Sequence, residues 1–132
     1  MIHLDTHALV WYLDGLAKVG RATRARLERA LARDEVAVSP VVFWEIALQV
    51  DRGRMTMVGT LDEYRRRVLQ AGIKEAGLDG ATAIRAARLA ATLTDPADCL
   101  IAATALAQGA TLVTGDARII ESGLVDVLNV RR

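Results

Sequence analysis

The chain has 132 residues, 52% hydrophobic and 25% charged, which fits a globular domain with a real core and excludes a disordered or fibrous chain. Lys and Arg number 17 against 16 Asp and Glu, so the net charge of +1 provides no global field that would advertise nucleic-acid binding. A single cysteine, Cys99, excludes an internal disulfide framework. With no apolar run of membrane-spanning length and no export-signal pattern, the expected location is a reducing cytoplasm.

In chain order, residues 1–4 read as a short buried strand and residues 8–13 as part of a helix. Residues 21–33 form an amphipathic helix with Leu27, Ala30 and Leu31 on one side. Residues 36–38 are a second strand. Ser39 and Pro40 then supply an N-cap and a first-turn proline for a helix reaching about Arg52. That helix is apolar nearly all round, which predicts burial. Residues 61–71 are helical, with Gly72 as the stop, and residues 73–78 form a short edge strand. Two alanine-rich helices follow, over residues 81–93 and 97–108, and strands at 110–113 and 125–130 complete the chain. Strands alternating with helices predict an α/β fold. The expected form is a three-layer α/β/α sandwich with a central, mostly parallel sheet, made as a single domain over residues 1–132.

Four acids sit in or against apolar segments: Asp5, Glu45, Asp98 and Asp116. A carboxylate near a core is costly unless it is paired or bound to a cation. In a parallel sheet ligands gather beyond the carboxyl ends of the strands, where the connections change direction. Asp5 and Asp116 follow strands directly, while Glu45 and Asp98 lie in early turns of helices that can start at the same edge. Each acid also has a plain structural reading. Asp5 and Asp116 can cap the helices they precede, Asp98 can complete a cap begun by Asp95, and Glu45 can pair with Arg52 or an Arg from elsewhere in the chain. Four such positions converging by accident is the weaker account, and a divalent-metal site is the stronger one.

Thr6 and Thr114 flank these acids and can orient carboxylates, and Asp95 is read as the N-cap before Pro96. His3 and His7 lack a second His or Cys at ligand spacing, which argues against zinc. Trp11, Tyr12 and Trp44 are assigned to the interior or to a subunit contact, and Cys99 to the core. A basic rim is expected around Arg52, Arg54, Arg65, Arg66 and Arg67.

Taken in order, four segments resemble the PIN-domain family, and within it the VapC-type toxins. They are Leu4-Asp5-Thr6-His7, Ser39-Pro40-Val41-Val42-Phe43-Trp44-Glu45, Asp95-Pro96-Ala97-Asp98-Cys99-Leu100-Ile101 and Leu112-Val113-Thr114-Gly115-Asp116. The likeness spans essentially the whole chain. Two positions depart from the pattern: Cys99 stands where many relatives carry Arg, and Thr94 where a His is common. The resemblance implies a Mg²⁺- or Mn²⁺-dependent endoribonuclease toxin acting on RNA. It also implies homodimers that join a cognate antitoxin in larger complexes. By this likeness Asp5, Glu45, Asp98 and Asp116 are both the catalytic and the metal-binding acids, with Thr6, Thr114 and Asp95 behind them. Helices around residues 21–33 and 40–54 would by analogy make the groove for the antitoxin. Two other readings stay open, a DNA nuclease of the same fold and a non-catalytic acidic interaction module. A phosphoacceptor receiver domain would need a lysine at a late strand end, and neither Lys18 nor Lys74 fits.

Overall fold

The computed structural model describes residues 1–132. Its strands are β1 (Ile2–Leu4), β2 (Val36–Val38), β3 (Lys74–Glu75), β4 (Thr111–Thr114) and β5 (Val127–Asn129). They form one sheet in the order β3-β2-β1-β4-β5, and every neighbouring pair runs parallel. The central strands β1 and β2 are buried along their whole length, as expected for a sheet covered by helices on both faces. The edge strands β3 and β5 are only partly covered.

The helices are α1 (Thr6–Asp14), α2 (Arg21–Ala32), α3 (Val41–Asp51), α4 (Leu61–Gln70), α5 (Gly80–Leu89), α6 (Pro96–Ala107) and α7 (Ala117–Ser122). None is long and apolar enough to cross a membrane. Side-chain caps start five of them. Asp5, Asp79, Asp95 and Asp116 each accept backbone N–H bonds, and Thr60 forms a reciprocal capping box with Glu63. Pro40 already has helical dihedrals, and Ser39 Oγ accepts from the Val41 N–H at 3.3 Å, so the serine opens α3 as its sequence indicates.

Several elements differ from the sequence reading, among them the last strand, expected over residues 125–130 and observed as Val127–Asn129. The edge strand expected over residues 73–78 shrinks to Lys74–Glu75, because β2 offers only Ala37 and Val38 as partners. Helix α5 stops at Leu89 rather than residue 93. The chain there tightens into a turn, with Ala90 N–H bonded to Ala87 O, before Asp95 extends ahead of Pro96. Helix α3, apolar nearly all round, buries only Val42 and Ile46 completely and leaves Trp44 52% exposed.

The sheet order fixes where a ligand can sit. From β1 the chain moves outward to β2 and β3, whereas β4 lies on the other side of β1 and leads outward to β5. Connections leaving β1 and β4 therefore diverge and open a crevice at their carboxyl ends. The C-terminal tail closes one side of that region. Gly20 N–H donates to Val130 O at 2.8 Å, Ala22 N–H to Arg132 O at 3.0 Å and Thr23 Oγ1 to Asn129 O at 2.7 Å. The approach is so close that a Cβ on Gly20 would lie 2.0 Å from the Arg132 carbonyl carbon.

Leu112, on the central strand β4, is fully buried, whereas Leu16 is 40% exposed. Leu112→Ala is expected to cost about 3 kcal/mol in denaturant unfolding, and Leu16→Ala under about 0.5 kcal/mol. Equal losses would contradict the assigned core.

Candidate metal centre

The sheet register brings the first two acids together. Leu4 pairs with Val113, so the chain leaving β1 runs beside the end of β4, and Asp5 N–H donates to Val113 O at 3.1 Å. Asp5 is 8% exposed and both its carboxylate oxygens are engaged. The Ala8 N–H donates to Oδ1 at 2.9 Å, and the Thr114 hydroxyl donates to Oδ2. The same threonine oxygen accepts from the Asp116 N–H at 3.0 Å, tying the two strand ends into one network. Asp116 Oδ1 in turn caps α7 by accepting from Arg118 N–H at 2.8 Å.

Glu45 and Asp98 arrive on helices. Thr6, the first residue of α1, donates its hydroxyl to Glu45 Oε1 and so orients the glutamate. Ser39, buried where β2 hands over to α3, shares a 3.1 Å hydroxyl bond with the buried Thr104 of α6. That bond and the α3–α6 packing set Glu45 against Asp98. Asp95 accepts from Ala97 N–H at 2.8 Å and Asp98 N–H at 3.4 Å, leaving the Asp98 carboxylate with no hydrogen bond from the protein.

All four acids line one cavity of about 340 Å³, together with Asp95, Thr6 and Gln49. Within it Glu45, Asp95 and Asp98 each offer an oxygen mutually within 4.8 Å, so Asp95 stands nearer the centre than a pure helix cap would. No guanidinium or ammonium pairs with any of these acids. The chain's one ion pair, Arg65 with Glu75, is elsewhere, and the Glu45–Arg52 pair allowed by the sequence does not form. Arg65 is thereby also withdrawn from the expected basic rim, while Arg52 and Arg54 line a second cavity beside Trp44 and Leu48. The start of α6 completes that second cavity, and α2, expected to form the groove with α3, does not line it.

Sequence reasoning missed five wall residues, His7, Trp11, Gln49, Gly115 and Arg131. Trp11, assigned to the interior or a subunit contact, lines the acidic cavity, and so does Arg131. Thr114 pairs with Asn129 across β4 and β5, so Asp116 and Arg131 each stand two residues past that pair. The parallel alignment of β5 was the available signal for Arg131. Cys99 occupies the core as expected, its thiol donating to Leu93 O at 2.9 Å.

Burial and like charge govern the electrostatics. Burial raises the Asp5 pKa, partly countered by the Thr114 and Ala8 hydrogen bonds. Asp98 is pushed up to about 7, first by burial and then by repulsion from Asp95, Asp116, Glu45 and Asp5. A divalent cation suits this arrangement. The donors are carboxylate and hydroxyl oxygens, the choice of a hard cation such as Mg²⁺ or Mn²⁺, and the clustered charge lacks an internal counter-ion.

A raised folded-state pKa fixes the sign of the pH effect. The stability held by protonated Asp98 is complete below its ordinary value of 3.8 and is lost as pH rises through about 7. The melting-temperature advantage of Asp98→Asn over wild type, both metal-free, is therefore expected to grow from pH 5 to pH 8. Solvent reaching the half-buried group limits the gain to about 1 kcal/mol. A pH-independent difference would contradict the assignment.

The chain is 28% identical to ribonuclease VapC22 of Mycobacterium tuberculosis over 117 residues, covering 88% of this chain and 87% of the relative. Its fold matches that of VapBC2 from Rickettsia felis bound to a promoter DNA fragment, with a TM-score of 0.72, 19% identity and 98% of each chain covered. A toxin–antitoxin complex from Klebsiella pneumoniae matches with a TM-score of 0.63 and 18% identity, covering 98% of this chain and 97% of that one. The family model of the PIN domain matches residues 2–123, and the chain belongs to the PIN-domain family.

Proposed function

We propose that this chain is a metal-dependent endoribonuclease, the toxin of a type II toxin–antitoxin pair, working as a single domain on RNA in the cytoplasm. The observation that carries the reading is the convergence of Asp5, Glu45, Asp98 and Asp116 on one cavity at the crevice between β1 and β4. Family membership supports nuclease chemistry, and the M. tuberculosis relative named a ribonuclease supports RNA as the substrate. The similarity to a toxin–antitoxin complex supports a cognate antitoxin as partner. The exposed Trp44, beside the cavity that α3 shares with α6, is the surface proposed for it. A homodimer within a larger toxin–antitoxin complex is part of the same proposal.

In this reading Asp5, Glu45, Asp98 and Asp116 hold Mg²⁺ or Mn²⁺, with Asp95 close enough to Glu45 and Asp98 to support them. Such a cation, when bound, polarises a phosphoryl oxygen and lowers the pKa of a water. The protein's own groups prepare the site for it. Thr114 and the Ala8 N–H orient Asp5 and oppose the rise that burial imposes on its pKa, and Thr6 leaves Glu45 Oε2 free to accept a proton from the attacking water. Water adds to phosphorus, one P–O bond to the departing sugar oxygen breaks, and that oxygen regains a proton from solvent. Asp98 must give up its own proton before it can serve as a ligand, so metal affinity is expected to rise with pH up to about 7.

Two measurements check this. Purified protein incubated with total RNA is expected to cut it in Mg²⁺ and to stop on chelation. Asp98→Asn should lower the rate by about a hundredfold or more. Matched RNA and DNA oligonucleotides decide the sugar preference. Cleavage that survives chelation, or none with either metal, would contradict the reading. Mg²⁺ or Mn²⁺ is also expected to raise the wild-type melting temperature and to leave that of Asp98→Asn nearly unchanged.

A further inference from the structure

We propose that Arg131 and Lys18, held against the Trp11 ring, form a phosphate clamp that grips the RNA backbone next to the acidic cavity. The inference rests on the nuclease reading and adds a substrate-binding subsite to it. Arg131 has its guanidinium carbon 5.5 Å from the Trp11 ring centroid, and Lys18 has its ammonium 5.4 Å from the same centroid. Those three residues line a cavity of their own, contiguous with the acidic one because Trp11 and Arg131 belong to both walls.

Neither cation is paired with an internal anion. Arg131 borders a cavity holding five carboxylates yet forms an ion pair with none, and Lys18 has no ion-pair partner either. Cations retained beside a cluster of acids without neutralising them are positioned for an external anion.

Arg131 is also placed in advance. The tail carrying it is bonded through Val130 O and Arg132 O to the start of α2, and Arg131 N–H donates to Asn129 Oδ1 at 3.0 Å. Gly115 keeps the seam narrow, since a Cβ there would lie 3.0 Å from Val130 Cγ1, 3.6 Å from Arg131 Nε and 3.8 Å from Trp11 Cζ3. A backbone fixed on both sides lowers the entropy cost of presenting the guanidinium, and its planar fork matches phosphate oxygens. A polyanion crossing the acidic cavity meets these cations one compartment further on.

The test compares Arg131→Gln, Arg131→Lys and Lys18→Gln, none of which touches the backbone bonds of the tail. Binding of a short fluorescent single-stranded RNA is measured in Mg²⁺ over a range of KCl, in an Asp98→Asn background that holds RNA without cutting it. Arg131→Gln is expected to weaken binding about tenfold and to lower the salt slope by about 0.7. Arg131→Lys should keep the slope, and Lys18→Gln should act in the same direction as Arg131→Gln but less. With Asp98 intact, Arg131→Gln should raise KM for RNA cleavage and change kcat by less than about twofold. Unchanged RNA affinity and slope in both Gln variants would overturn the clamp. So would a shift in the Mg²⁺-dependent melting temperature in place of RNA affinity, which would make Arg131 an internal counter-charge. Loss only of a co-purifying protein partner would overturn it too. If wild type fails to cut RNA while the slope falls as expected, the clamp stands and the nuclease reading fails; cleavage with unaltered slopes and KM gives the reverse.

Discussion

Asp5 is held at 8% exposure beside other acids, and burial raises its pKa despite a hydroxyl and a backbone N–H directed at its oxygens. This uncompensated negative charge is the constraint on which the rest of the arrangement depends. The parallel sheet creates it by ending β1 and β4 side by side, and the buried Ser39–Thr104 bond tightens it by bringing α3 and α6 together. A fold selected for stability alone would have placed an arginine among these groups or replaced them with apolar residues. Here the repulsion persists, to the point that Asp98 is pushed up to about 7. In the proposed reading a divalent cation relieves it, and the local defect becomes a binding site.

Distribution of charge gives the second theme. Five of the chain's 16 acids and one of its 17 basic residues line the acidic cavity, leaving 11 acids against 16 basic residues elsewhere. A near-neutral chain is therefore polarised, negative at the crevice and net positive over its other residues. That pattern suits a polyanionic substrate whose ends are drawn to the surrounding surface while one phosphate approaches a cation at the centre. Trp11, flanked by Lys18 and Arg131, lies where the two fields meet.

Much of this was legible before any coordinates, and the reason is local. Short apolar runs ending in Asp5 and Asp116 identify central parallel strands, and Asp95-Pro96 marks a helix start without ambiguity. Alternation of strands with helices then forces the sheet and its active edge. What escaped the sequence was set by long-range packing. Helix α3 looks buried because it is greasy, yet which side meets the core depends on α6, and Trp44 ends outside. Trp11 looks like core, yet it stands at the cavity wall because the tail after β5 returns beside β4. Arg131 carries no local signal at all, since its role follows from a register between strands 15 residues apart. The cap readings of Asp5, Asp95 and Asp116 were sound as well, for each caps its helix with one oxygen and still borders the cavity.

The central claim, that these carboxylates share a cation, is tested most directly by crystals soaked in Mn²⁺ and measured for anomalous scattering. The account requires a peak between the Asp98 carboxylate and those of its neighbours, with oxygens at about 2 Å. Crystals grown at a pH above 7 with saturating Mn²⁺ but no peak there, or with the acids turned toward separate partners, would contradict it.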